Sequence, residues 1–293
     1  MLRQRGVFFM FKFLKIFLTP IIALVLLALL ISKSFSNIPT MSENSGIELP
    51  IVMYHSILKN TELSGKYVVT PSTLSKDIEY LQKNGYTTIS MKQLIDYVYN
   101  GVSLPEKPVM LTFDDGCYNN YEYVLPILKK YDAYAIFCIV GKYTDDYTAS
   151  NEANISYGYM RWIDVYNLSM SGHAEIANHS YDFHKYTNGR RGSKKKTWES
   201  VNDYKNIFRK DTQKTQTECY NNTGITPIIY AYPFGEYSKE SVDVLKDLGF
   251  KASFTCNEGV NIITQDPDSL FFLKRNNRPD NIGTAEFFSN LIH

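Results

Sequence analysis

The stretch Val109-Met110-Leu111-Thr112-Phe113-Asp114-Asp115-Gly116 decides how this chain is read. Residues 109–113 are a short apolar run of the kind that forms a buried parallel strand, and two adjacent carboxylates and a glycine follow at once. Working outward, 121–131 has a helical pattern and 135–140 (AIFCIV) is a second buried strand, which makes a strand-helix-strand unit. Upstream, Pro50 to Met53 is an apolar strand that runs into Tyr54-His55. Thr70-Pro71 opens a helix with Leu74, Ile78 and Leu81 on one face and Gly85 at its end, and Ser90 caps another that stops at Gly101. Downstream the pattern predicts helices over 161–170, 198–220 and 238–248, strands at 175–177, 228–232, 252–254 and 271–274, and a last helix from Thr284. Such alternation defines the α/β class, and its repetition suits a (β/α) barrel.

The composition is that of a folded domain: 44% of the 293 residues are hydrophobic and 14% aromatic, enough to bury one large core. Net charge is +1, but Arg3, Arg5, Lys12 and Lys15 stand together at the start with no acid among them, so the rest of the chain is slightly acidic. That balance argues against a nucleic-acid partner, which calls for a basic face. The 23 tyrosines and 17 phenylalanines fit sugar-stacking surfaces and an aromatic core equally well. The four cysteines are widely spaced without a Cys-x-x-Cys pair, so no zinc knuckle or thioredoxin-like site is indicated. Cys117, next to the carboxylate pair, has no histidine base beside it and reads as a buried thiol rather than a nucleophile.

Residues 16–31 (IFLTPIIALVLLALLI) carry no charge and follow the four basic residues. The expectation is a signal anchor: a cytoplasmic flank and transmembrane helix over 1–32, a flexible Ser/Asn-rich linker over 33–47, and a catalytic domain over 48–293. This places the domain outside the cell, held to the membrane by a single pass. The alternative is a secreted protein cleaved near Ser36, where Ser34-Phe35-Ser36 offers small residues. No obligate protein partner is evident.

Acids at the carboxyl end of a parallel strand sit on the face where such folds place function. Of an adjacent pair, one can be held ionised by a divalent metal while its neighbour stays a free base. Asn178-His179-Ser180-Tyr181-Asp182-Phe183-His184 follows the strand at 175–177 and holds two of only five histidines. One carboxylate and two imidazoles at strand ends form a three-ligand set with an open position, as in a catalytic zinc-type centre. His173, in a Ser-Gly-His turn, has the ordinary reading of a surface or core residue. In Tyr232-Pro233-Phe234-Gly235, proline and glycine shape a rigid turn that can aim a backbone N–H at an oxyanion.

These residues resemble the polysaccharide deacetylases of carbohydrate esterase family 4, the NodB-like domain. Thr112-Phe113-Asp114-Asp115-Gly116 matches the first motif of that family in full, and His179-Ser180 resembles the start of the second. The second histidine comes five residues on, as His184, where the family usually has it at four. That extension, with Tyr54-His55 near the start of the domain, resembles the circularly permuted branch that includes poly-N-acetylglucosamine deacetylases. The resemblance implies a distorted (β/α) barrel, Asp114 as base, Asp115, His179 and His184 as metal ligands with Asp182 as the fallback, and His55 as general acid. It also implies one divalent metal, zinc first, with cobalt, nickel or iron as alternatives. The arginine that usually precedes the third motif is missing, with Ala231 in its neighbourhood, and Arg275 is the candidate replacement.

The Phe234 backbone N–H is expected to face the oxyanion, and Tyr232, Pro233 and Trp162 to bind substrate. The expected activity is removal of N-acetyl groups from a cell-surface polysaccharide, with peptidoglycan first because a tethered enzyme stays near the wall. The alternatives are poly-N-acetylglucosamine as substrate, O-deacetylation of xylan-type esters, and a wall-binding relative without activity.

Overall fold

The computed structural model describes residues 46–292. Seven strands form its main sheet: β1 (Ile51–Tyr54), β2 (Pro108–Phe113), β3 (Ala135–Ile139), β4 (Ala174–Asn178), β5 (Ile229–Ala231), β6 (Ala252–Phe254) and β7 (Asn276–Asn277). Their spatial order is β6-β5-β4-β3-β2-β1-β7, every pairing is parallel, and the two-residue strand Thr87–Thr88 adds to β2 off this path.

The sheet curls so that alternate side chains face an inner and an outer core. Ile51, Met110, Ile136, Cys138, Ala177, Ile229, Ala231 and Phe254 fill the inside. Outward-facing Val52, Tyr54, Leu111, Phe113, Phe137 and Ile176 pack against the surrounding helices. The helices of the fold are α1 (Pro71–Lys83), α2 (Met91–Asn100), α3 (Leu125–Tyr131), α4 (Gly141–Ser150), α5 (Trp162–Ser169), α6 (Val201–Thr223), α7 (Ser241–Asp247) and α8 (Thr284–Ser289), of which α2 packs into the inner core through Met91, Leu94, Tyr97 and Val98. Tyr54, Phe113 and Phe137, register partners on three adjacent strands, stack with centroids 5.0 and 5.1 Å apart. Each such pair adds about 0.5–1.5 kcal/mol beyond its buried area and fixes the register of β1 to β3.

The expected barrel is corrected to a curled, partly closed sheet. No α-helix intervenes between β6 and β7, where the chain forms the short strand Asn261–Ile263 and the single 3-10 turn Pro267–Leu270, and β7 is two residues long. Across the remaining gap there is a single parallel bridge, between Phe254 and Leu273. The ends are drawn together without a continuous ladder. The segment that follows is fastened by a buried ion pair. Arg278 donates to both Asp77 carboxylate oxygens on α1, at 2.9 and 3.1 Å, and its backbone N–H donates to the Met53 carbonyl of β1 at 2.9 Å. Tyr54 and Thr284 supply further hydrogen bonds to Asp77.

Among the described residues, no helix is long and apolar enough to cross a membrane. The expectation of a preceding transmembrane helix, and with it single-pass cell-membrane localisation and the membrane as a partner, finds no support among the described residues. The run at 16–31 and most of the 33–47 linker lie outside the described residues.

Candidate metal centre

The alternation that builds the inner core also builds the site. Ile51 and Met53 lead to His55, Met110 and Thr112 to Asp114, and Ala177 to His179, each two residues further on the same face. All three arrive at the carboxyl ends of their strands, β1, β2 and β4, the last separated from β2 by β3. Asp115, the next residue in sequence, would point the other way in an extended chain. Instead Asp115 and Gly116 both adopt left-handed backbone, φ 70° and 72°. This turns the Asp115 carboxylate back into the cavity at a cost of about 1–2 kcal/mol for the non-glycine residue. At Gly116 a side chain would also press on Ile139, 3.3 Å away.

Asp115, His179 and His184 converge, each offering one ligand atom, with all three atoms within 4.8 Å of one another. Asp115 Oδ1 lies 3.0 Å from His184 Nε2 and 3.5 Å from His179 Nε2. His179 Nδ1 is 2.8 Å from the Ala231 carbonyl, which can only accept, so Nδ1 carries the ring proton and Nε2 presents a lone pair to the centre. Asp115 Oδ1 is buried and has no hydrogen-bond partner despite these two close nitrogens. Lone pairs from three groups aimed at one point, with a buried carboxylate oxygen left unsatisfied, are what a cation resolves. Ligands that share an ion at about 2.0–2.1 Å lie roughly 3.0–3.4 Å apart, in keeping with these spacings. The three residues thus fit a single divalent metal.

Asp114 stands beside this triad, its Oδ2 3.9 Å from His179 Nε2. The fully buried Arg275 grips it with two parallel hydrogen bonds, Nη1 to Oδ1 at 2.6 Å and Nη2 to Oδ2 at 2.8 Å. Arg275 is itself positioned by Nε donating to the Thr255 carbonyl at 2.9 Å. Burial pushes the Asp114 carboxyl up, but the Arg275 charge, then His179 and the Arg275 hydrogen bonds outweigh it and bring it down to about 2. Arg275 reaches this place because Leu273 lies on the inner face beside Phe254, and the residue two further on enters the site.

His55, Asp114, Asp115, His179, His184 and Phe234 line one cavity of about 430 Å³. His55 Nδ1 is buried without a hydrogen-bond partner, and the edge of Tyr67 packs on the ring at 4.8 Å. Burial lowers the His55 pKa, and the Asp114 and Asp115 charges oppose that shift. Phe234 has left-handed backbone, φ 59°, and its ring stands 4.4 Å from that of His184.

Other expected site residues lie elsewhere. Tyr232 is fully buried with its hydroxyl 2.6 Å from Ser241 Oγ, because it shares the outward face of β5 with Tyr230 and packs towards α7. Pro233 is buried within its turn. Trp162 opens α5 in the outer core, its indole N–H donating to Asp145 Oδ1 at 2.7 Å. Asp182 turns away from the centre to pair with Lys185. Cys117 is raised far above its usual pKa by burial, which suppresses the thiolate, and His173 bonds the Ala133 carbonyl at 3.0 Å.

The sequence did not point to the hairpin of Tyr186–Thr187 and Arg190–Arg191, which brings Tyr186 and Arg191 to the cavity. Tyr186 stacks on Phe234 at 4.6 Å and accepts a hydrogen bond from Arg191 Nε at 2.9 Å.

A curled parallel sheet with a Asp-His-His centre and a separately anchored carboxylate at its strand ends defines a metal-dependent hydrolase architecture. The polysaccharide deacetylase family model matches residues 101–253, and the chain belongs to that family, as a NodB-like domain of carbohydrate esterase family 4. The poly-β-1,6-N-acetyl-D-glucosamine N-deacetylase of Escherichia coli (strain K12) is 26% identical over 213 residues, 66% of this chain and 31% of that protein. The chain therefore spans about a third of that curated relative. The enzyme of the same name from Staphylococcus epidermidis is 24% identical over 220 residues, 75% of this chain and 71% of its own. Among solved structures, a de-N-acetylase from Aggregatibacter actinomycetemcomitans superposes with a TM-score of 0.70 at 25% identity, covering 84% of this chain and all of that one.

Proposed function

We propose that this chain is a metal-dependent N-deacetylase acting on the N-acetylglucosamine units of poly-β-1,6-N-acetylglucosamine. The observation that carries the reading is the division of labour between adjacent carboxylates: Asp115 joins the ligand triad, while Asp114 is held ionised by Arg275 beside it. A divalent ion at the triad, when bound, supplies Lewis acidity towards the acetamido carbonyl and acidifies a water. Asp114 takes the proton of the attacking water. The Phe234 backbone N–H donates to the oxygen on which negative charge develops, and His55 gives a proton to the departing nitrogen. The products are a glucosamine unit and acetate. Arg275 stays ionised throughout and keeps both Asp114 oxygens fixed.

The choice of polymer is supported by the names of the curated relatives from E. coli and S. epidermidis, both poly-β-1,6-N-acetyl-D-glucosamine N-deacetylases. Peptidoglycan was favoured on the strength of a membrane tether, which no helix among the described residues supports. A wall-binding role is disfavoured by the complete ligand triad, since three clustered polar groups are costly to keep without a cation. The test is acetate release by the zinc-loaded chain from poly-β-1,6-N-acetylglucosamine and from purified peptidoglycan. Release at least tenfold faster from the first is expected, and faster release from peptidoglycan would reverse the assignment.

A further inference from the structure

We infer that Asp211, on α6, is a positioning residue that pre-forms the metal-binding loop between His179 and His184. This rests on the metal-centre reading above. The two histidines are separated by four residues, one more than a compact His-x-x-x-His turn, so the loop cannot hold its ligands in register by its own helical hydrogen bonds. Ser180 has left-handed backbone, φ 72°, which a non-glycine residue keeps only when its surroundings enforce it.

The backbone donors between the ligands show what does so. Ser180 N–H donates to Asn178 Oδ1 at 2.8 Å, at the end of β4, and Phe183 N–H to Ser180 Oγ at 3.2 Å, within the loop. The two central ones, Tyr181 N–H and Asp182 N–H, leave the loop and end on Oδ1 and Oδ2 of Asp211, each at 2.8 Å. One carboxylate therefore takes both central donors, about thirty residues away in sequence. Asn178 Nδ2 donates to the carbonyl of the next residue on α6, Thr212, at 2.9 Å, so the clamp has two points. Hydrogen bonds to an ionised acceptor are roughly twice as strong as neutral ones. With both N–H groups anchored, the His179 and His184 rings converge before any ion arrives, and less of the binding free energy goes into ordering the loop.

The test is the zinc affinity of wild-type chain and Asp211→Asn, measured by chelator competition at neutral pH. Outer partners of metal ligands typically contribute 10–100-fold in affinity, and a loss of that size is expected. At saturating zinc, turnover should return towards wild type with KM for the polymer unchanged. A folded Asp211→Asn protein that binds zinc within twofold of wild type overturns the inference, even if it melts at a lower temperature. Amide exchange in the unaltered chain is independent of how the variant folds. Tyr181 and Asp182 N–H should be protected in the zinc-free protein, and free exchange that ceases only on adding zinc overturns the inference too. Neither the zinc affinity nor the amide exchange depends on deacetylation, so failure of the substrate assignment leaves those results standing. A wild-type chain that binds no zinc refutes the metal-centre reading instead.

Discussion

Asp114→Asn should lower acetate release by about 10²–10⁴-fold while zinc still binds at one equivalent, since the substitution removes a positioned base and leaves the ligand triad intact. Asparagine keeps the size of the side chain and one acceptor oxygen for Arg275 but removes its buried counter-charge, so the loss is read on a variant that is shown to be folded and zinc-loaded. The expected signature is a fall in kcat with little change in KM, because the proton is taken only as the transition state forms. Near-normal turnover in this variant would move the base to another group. Equal loss of zinc and activity would mean that Asp114, and not only Asp115, is a ligand.

Arg275→Met should have the second largest effect, on stability as well as activity. It strands a buried carboxylate without its partner, which typically costs about 3–5 kcal/mol. The pH dependence has a definite sign. In the native chain Asp114 is held at about 2, below its usual value near 4, so its contribution to stability is present above pH ~4 and is lost as pH falls through ~2. Without Arg275, burial dominates and the Asp114 pKa rises above the usual value. Its contribution is then retained at low pH and lost as pH rises. The variant's deficit in zinc-free urea unfolding should therefore be largest near neutrality and shrink towards pH 4. A pH-independent deficit would show that Arg275 stabilises by packing alone. Arg275→Lys should not rescue activity, since a point charge cannot replace the two-pronged grip.

How much of this was legible in the sequence depended on distance along the chain. The strand-Asp-Asp-Gly stretch and the histidine pair are local, so their place at the ends of strands could be read directly. The Asp114–Arg275 pair spans 161 positions, and only the curl of the sheet brings them together, so the sequence could name Arg275 only as one candidate. The barrel expectation went too far because seven parallel strands look the same in sequence whether or not the two ends pair. Closure here turns on one bridge at Leu273.

Tyr232 was misplaced because an aromatic at a strand end suggests a sugar platform, while alternation from Tyr230 sends it outward. Phe234 comes to the cavity only through its left-handed backbone. Helix α4 went unseen because its sequence, GKYTDDYTAS, has no apolar stripe, and only Gly141 and Thr144 are buried. Asp211 gave no signal at all, since its partners are backbone N–H groups about thirty residues away.

Dependence of catalysis on the Asp115-His179-His184 centre is tested most directly by titrating zinc into the metal-free chain, with acetate release from poly-β-1,6-N-acetylglucosamine followed at each addition. No release is expected without metal, then a linear rise to one equivalent and a plateau beyond it, with Asp115→Ala flat throughout at the same concentrations. Full acetate release from the metal-free chain in the presence of chelator would contradict that dependence.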